Sequence, residues 1–250
     1  MTDAILTERR GRVLIITMNR PEAKNAINGP LATGLWAAVQ ELNTDPGLTA
    51  GVLTGAGGAF CSGMDLKGFA KGEDITPATH FFQQGAEKPI IAAIEGFALA
   101  GGLELALSCD LLVAAEGAKL GIPEVKVGLF AAGGGVMRLP SRVGYGKAME
   151  MAITGDPISA EEGHVAGLIT KLATPGTAVD VAIELAERVA KNAPLAVAAS
   201  KKMIRATQGT TEEDLWKFQS SLMGGVFGSD DAKEGPAAFA EKREPNWSGT

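Results

Sequence analysis

Glu104 is the only charged residue between Glu95 and Asp110, in the run Gly96-Phe97-Ala98-Leu99-Ala100-Gly101-Gly102-Leu103-Glu104-Leu105-Ala106-Leu107-Ser108-Cys109. A carboxylate is costly to bury unless it is paired, hydrogen-bonded or neutralised. Burial also raises its pKa, which makes a glutamate useful as an acid or base near neutral pH. The glycine pair before it adds a second constraint. Such a pair opens a tight turn, brings backbone N–H groups close to a ligand and starts a helix. One short segment therefore offers an anion-stabilising backbone and an acid/base side chain together.

The surrounding pattern predicts α/β architecture. Residues 4–9 and 12–18 read as a hairpin turning near Gly11, with Val13-Leu14-Ile15-Ile16 as its strand signal. Residues 30–43 read as a helix with Leu31, Leu35, Ala38, Val39 and Leu42 on one face. Gly51-Val52-Leu53-Thr54 reads as a buried strand running into the glycine-rich loop Gly55–Phe60. Another strand follows at Ile90–Ile94, then a helix from about Gly102 and a strand at 110–115. This alternation argues for an α/β core. From Gly133 onward the reading is mainly helical, with a stripe of Ala178, Val181, Ala182, Leu185, Ala186 and Val189. Residues 194–208 and 212–223 are further helix candidates. No repeat is evident in the sequence.

Composition excludes several function classes. With 23 Lys plus Arg against 29 Asp plus Glu, the net charge is −6 over 250 residues. An acidic chain without a long basic run is a poor general binder of nucleic acid or anionic membrane. No uncharged apolar stretch approaches the roughly 20 residues of a membrane span. The start, Met1 to Arg10, has early acidic residues and no apolar signal core. The expectation is a soluble cytoplasmic protein. Cys61 and Cys109 form no CxxC pair, and Cys61 reads as a packed residue because no cationic partner is local.

Other motifs fail on spacing. A dinucleotide-binding reading of Gly55–Gly58 would need its third glycine where Phe60 stands. Gly144-Tyr145-Gly146-Lys147 lacks the P-loop spacing. Ser62 and Asp65 with His80 or His164 would suggest a serine hydrolase, but no GxSxG elbow is present. Asp65 reads as a loop or cap residue, and Asp110 as structural. Phe81 and Phe82 read either as acyl-chain contacts or as helix core. Gly133-Gly134-Gly135 reads either as site lining or as close backbone packing. Trp247 reads either as docked at a subunit interface or as frayed.

Four ordered segments carry a resemblance. They are Asn19-Arg20-Pro21-Glu22-Ala23-Lys24-Asn25-Ala26, Ala59-Phe60-Cys61-Ser62-Gly63-Met64-Asp65-Leu66, the run from Gly96 to Ala106, and Ile122-Pro123-Glu124-Val125-Lys126-Val127-Gly128-Leu129. Together they resemble the crotonase superfamily, specifically its enoyl-CoA hydratases, over almost the whole chain. The resemblance implies a crotonase (ClpP-like) α/β fold with a repeated ββα core over 1–195. It also implies a helical C-terminal trimerisation region over 196–250, within one functional unit. Homotrimers or pairs of trimers are the implied assembly.

The resemblance further implies an acyl-CoA substrate and reversible addition of water to a 2-enoyl thioester. The backbone N–H groups of Met64 and Gly101 would hold the thioester oxygen as an enolate forms. Glu104 would act chiefly on the water and Glu124 chiefly in protonating C2. Each such acid/base role is typically worth ~10²–10⁴ in rate. CoA would lie along Lys24 and Ala26 and the loop of Ser62, Gly63, Asp65 and Leu66, with Gly102 and Pro123 also lining the site. No metal or redox cofactor is implied, since coenzyme A is part of the substrate.

Met64 stands where well-known hydratases have alanine. Phe130-Ala131-Ala132-Gly133-Gly134-Gly135 departs from their Pro-Gly-Ala-Gly-Gly segment, and residues 67–84 fall in a variable region. These departures leave the acyl group open. Alternative readings are enoyl-CoA isomerisation, dehydration of a carnitinyl-CoA-like substrate, or a non-catalytic or RNA-binding member. The acidic balance argues against RNA.

Overall fold

The computed structural model describes residues 3–250. Met1 and Thr2, part of the start read as lacking a signal core, lie outside the described residues. Strands β1 (Ile5–Arg10) and β2 (Val13–Met18) form the expected hairpin, with Ile5 opposite Met18 and Arg10 opposite Val13. Gly11 makes its turn at φ +56°, a conformation glycine adopts without steric cost. β2 is buried on both faces, which explains its continuous apolar run.

A 3-10 turn at Pro21–Ala23 leads to α1 (Gly29–Thr44), capped by Asn28 Oδ1 accepting from Leu31 N at 3.1 Å. The predicted stripe of α1 is buried against the sheet. Each leucine so buried contributes about 1.5–3 kcal/mol. β3 (Ala50–Gly55) runs parallel to β2. A Cβ at Gly51 would lie 2.7 Å from Leu42 Cδ2, so glycine lets α1 approach this strand.

The chain continues through α2 (Leu66–Ala70), α3 (Thr76–Gln84), β4 (Ile90–Ile94), β5 (Phe97–Leu99), α4 (Gly101–Ser108), β6 (Leu111–Ala115), β7 (Lys119–Gly121) and a 3-10 turn at Pro123–Val127. Here the implied ββα repeat becomes visible. β4 enters the large sheet, β5 the small sheet, and α4 follows. β6, β7 and the 3-10 turn repeat the move. One turn earlier, β3 leads to a single parallel bridge between Cys61 and Ala98, followed by α2. The repeat escapes sequence inspection because its second strand has three residues or only one bridge.

The remainder comprises α5 (Gly135–Val143), α6 (Tyr145–Thr154), β8 (Ile158–Ser159), α7 (Ala160–Val165), β9 (Lys171–Ala173), α8 (Ala178–Ala190), α9 (Pro194–Ala206), α10 (Glu212–Phe227) and α11 (Asp230–Glu241). This half is mainly helical, as read, with two short strands added. β9 pairs in parallel with β6, completing the order β1-β2-β3-β4-β6-β9, and β8 pairs with β7. Strands of two and three residues carry no periodic signal. α11 lies beyond the predicted helices, and Pro236 inside it masks its helical signal.

Two apolar layers enclose the large sheet. Val13, Ile15, Val52, Ile91 and Val113 face Ala178, Ala182 and Ala186 of α8. Leu14, Ile16, Leu53, Ala92 and Ile94 face the larger core shared with α1, α3 and α4. α4 is therefore an internal helix, which is why it reads apolar all round. Asp110 anchors α9 beneath it: its Oδ2 accepts from Ile90 N at 2.8 Å and from Lys201 Nζ at 2.6 Å. Trp247 docks on its own chain, donating from Nε1 to Lys191 O at 2.8 Å. Among the described residues no helix is long and apolar enough to cross a membrane.

Candidate active site

The fold brings the four sequence segments to one place. Lys24 and Asn25 both adopt left-handed backbone, at φ 54° and 55°. Asn25 is fully buried and makes this turn rigid. Its Oδ1 accepts from Arg20 N at 2.9 Å, and its Nδ2 donates to Ala56 O and Ala59 O at 2.9 and 2.8 Å. The following chain pairs with the 62–65 loop: Ser62 N donates to Lys24 O, Ile27 N to Gly63 O, and Asp65 N to Ile27 O. Asp65 also caps α2 through Lys67 N and Gly68 N, and it pairs with Arg20 at 3.0 Å. These contacts hold its carboxyl below the ordinary aspartate range, chiefly through the Gly68 N–H and the Arg20 guanidinium.

Met64 and Gly101 then lie side by side. A Cβ on Gly101 would be 3.6 Å from both Met64 N and Gly63 Cα. Neither the Met64 nor the Gly101 N–H is used in a hydrogen bond among the described residues. Gly101 is the first residue of α4, one position before the predicted start, so its N–H is one that the helix cannot satisfy. Ala100 precedes it at φ +51°, ψ −131°. That conformation costs a non-glycine residue roughly 1–3 kcal/mol. It is held by Ala100 N donating to Gly121 O at 2.9 Å, so the end of β7 aims the first turn of α4. Gly102 is buried against the same loop: a Cβ there would lie 2.2 Å from Cys61 O.

Glu104 sits one turn into α4 and is only 5% exposed. Its Oε1 accepts from Gly135 N at 2.9 Å. A Cβ on Gly133 would fall 2.7 Å from its Oε2, so only glycine lets this backbone close over the carboxylate. The Gly133-Gly134-Gly135 segment thus packs its backbone closely on Glu104. Burial pushes the Glu104 carboxyl above the ordinary glutamate range, against the Gly135 and Gly133 amides and the charge of Arg138. Glu124 enters from the 3-10 turn that Pro123 begins. Its carboxyl is raised by burial and further by the charge of Glu104, which puts the two acids within electrostatic reach. Its buried Oε2 has no hydrogen-bond partner among the described residues.

The site thus holds two free backbone donors, one carboxylate gripped by amides and a second carboxyl with one oxygen, Glu124 Oε2, left without a partner among the described residues. Comparisons with known proteins match it. The family model described as "Enoyl-CoA hydratase/isomerase" matches residues 8–250. The chain belongs to this family. It is 41% identical to the enoyl-CoA hydratase EchA19 of Mycobacterium tuberculosis, over 97% of this chain and 95% of that one. It is 39% identical to a carnitinyl-CoA dehydratase of Salmonella paratyphi A over the full length of both. The crystal structure of the enoyl-CoA hydratase EchA1 from Mycobacterium marinum superposes with a TM-score of 0.97 at 51% identity, covering 99% of this chain and 100% of that one. The crotonase fold and the enoyl-CoA hydratase class of enzyme implied by the sequence segments are therefore those of this chain.

In this member of the enoyl-CoA hydratase/isomerase family, Lys24, Met64 and Leu66 are exposed at the rim, while Ala26, Gly63 and Gly102 are buried beneath it. Ser62, Asp65, Pro123 and Glu124 are half-buried. Phe81 is core, whereas Phe82 Cδ2 lies 3.2 Å from a Cβ position on Gly133 and so borders the Glu104 grip. Cys61 is buried, which pushes its thiol up to about 12 and leaves it inert as a nucleophile. Sequence reading missed Ala100 and Arg138. Ala100 has no compositional signal, because its importance is a backbone angle. Arg138 shares its helix face with Arg142 and Ser141, so nothing in the local sequence sets it apart.

Proposed function

We propose that the protein adds water reversibly across the 2,3 double bond of 2-enoyl-CoA thioesters. The observation that carries this reading is the pairing of two unengaged backbone N–H groups with two carboxyls of unlike environment. Donors fixed by the backbone need no reorganisation as negative charge grows on the thioester oxygen, and loss of one typically costs roughly 2.7–4 kcal/mol. The Met64 and Gly101 N–H groups would take that oxygen, with the positive end of α4 behind them. Glu104, whose charged form is favoured by the Gly135 N–H, suits the base that deprotonates water for attack at C3. Glu124, whose Oε2 has no partner among the described residues and which burial and the charge of Glu104 hold toward its protonated form, suits the acid that protonates C2. Environments that treat two carboxyls differently are how one site runs acid and base chemistry together.

The likeness to carnitinyl-CoA dehydratase supports a second reading of the same chemistry, dehydration of a specialised 3-hydroxyacyl-CoA. The exposed Met64 at the entrance favours an acyl group unlike that of hydratases with alanine there. One experiment separates the two. Loss of enoyl-thioester absorbance is followed with 2-enoyl-CoAs of increasing chain length, and products are identified. Formation of 3-hydroxyacyl-CoA supports the hydratase reading. Inertness toward simple chains with turnover of a carnitinyl-CoA-like thioester supports the second. Inertness toward both overturns both.

CoA would run over the Lys24–Ala26 turn, with the exposed Lys24 ammonium beside a phosphate. Lys24→Ala is then expected to raise KM for acyl-CoA with little change in kcat. An unchanged KM removes Lys24 from the site. Neither metal nor redox group enters this scheme.

The protein would act as a homotrimer or a pair of trimers, with 1–195 as catalytic core and 196–250 as the assembling region. Support comes from the apolar surface of the last helices: Trp216, Phe227 and Phe239 are 59%, 73% and 86% exposed. Exposed apolar side chains grouped on a few elements mark interaction surfaces. Sedimentation of the purified protein is expected to give a trimer or hexamer mass, and a monomer would refute the assembly.

A further inference from the structure

We infer that Arg138 is the positioning residue of this site, clamping the glycine turn that orients the Glu104 carboxylate. The inference deepens the hydratase reading and rests on it for the catalytic consequence, but not for the electrostatic one. Arg138 lies on α5. Its Nη1 donates to Gly133 O at 3.3 Å and to Ser108 Oγ at 3.1 Å, and its Nη2 donates to Phe82 O. Ser108 Oγ in turn donates to Glu104 O at 2.8 Å. One guanidinium thus ties together α3, α4 and the 133–135 turn.

Two features show that this clamp bears on Glu104 and not on packing alone. The carbonyl it holds, Gly133 O, belongs to the same turn whose Gly135 N–H grips Glu104 Oε1 at 2.9 Å. The backbone between them is free of side chains, and a Cβ on Gly134 would fall 2.6 Å from Arg138 Nη1. The turn is held from two sides, by the start of α5, where Arg138 N donates to Gly134 O at 3.0 Å, and by the guanidinium on Gly133 O. A planar fork reaching three acceptors is a task lysine cannot reproduce.

The guanidinium also supplies charge. Glu104 is faced by Arg138 from α5 and by Glu124 from the 3-10 turn. Arg138 itself is faced by Arg205 of α9, by Arg142 on its own helix and by Cys109. Arg138 lowers the Glu104 carboxyl, while the charge of Glu104 raises that of Glu124. Removing the cation leaves burial opposed by the Gly133 and Gly135 amides alone, so the Glu104 carboxyl must titrate at higher pH. As the base that must be ionised, it then loses activity at higher pH on the acid side.

The test uses the full-length protein with 13C-labelled glutamate carboxyls, the Glu104 signal being assigned by its loss in Glu104→Gln. Arg138→Met is expected to move the Glu104 titration upward and the acid limb of the kcat profile with it. Arg138→Lys, which keeps the charge but not the fork, is expected to leave the titration near its wild-type position. It should still lower kcat by about 10- to 100-fold with KM little changed, the scale of a small misplacement of a catalytic group. Folding of each variant is checked by circular dichroism. An unmoved Glu104 titration in folded Arg138→Met, or wild-type kcat in Arg138→Lys, overturns the inference. If the wild-type protein hydrates no enoyl-CoA, the hydratase reading fails separately, and the Glu104 titration still decides the electrostatic role of Arg138.

Discussion

Glu104→Gln is expected to lower kcat for hydration by about 10²–10⁴ while fold and CoA affinity are kept. The side-chain oxygen of glutamine still accepts from Gly135 N, so the grip on the side chain survives. What is lost is the capacity to take a proton from water. Glu124→Gln is expected to fall in the same range, since an amide has no proton to deliver to C2. Near-wild-type turnover in either variant removes that residue from its role, provided that bound CoA is measured alongside.

The pH profile gives the sign of the effect. Glu104 works as a base only when ionised, and burial holds its carboxyl above the ordinary range of about 4.3. Activity is therefore expected to fall away, on acidification, at a pH above that of an ordinary glutamate. Glu124 works as an acid only when protonated, and its raised carboxyl keeps the proton to higher pH. The two groups titrate as a pair, so the limbs of the profile belong to both.

The second large effect concerns no titratable group. Gly63→Ala is expected to lower kcat by roughly 10²–10³, the cost of losing one oxyanion donor. Gly63 has φ +104°, and an added Cβ would lie 2.7 Å from Ala100 Cβ and 3.2 Å from Gly101 N. The two loops that carry the Met64 and Gly101 N–H groups would have to separate. Affinity for CoA, held mostly outside this contact, should change less than kcat. A variant that is folded and turns over at the wild-type rate would show that these two amides do not form the hole.

Much of this protein was legible before its structure. The α1 stripe, the strands at Gly51 and Ile90, and the α8 stripe are long, periodic or strongly apolar, and local sequence decides them. Glu104 stood out because a lone carboxylate in an apolar run demands a partner. The glycines at 101 and 102 stood out because few other residues permit such close backbone contacts. Yet β8 and β9 were invisible, since a strand of two or three residues exists only through the neighbour it pairs with.

The identities of the chemical groups were thus determined by the sequence alone: two glutamates, a glycine-rich helix start, a −6 charge and an apolar core. Only the tertiary structure decided their relations. It set Met64 beside Gly101, Gly135 against Glu104, Glu124 within reach of that charge, and Arg138 behind the turn. Glu104 and Gly135 stand 31 positions apart in the chain, and Met64 and Gly101 lie on different loops. No local rule specifies such a contact, because its energy comes from packing the ββα turns on one another.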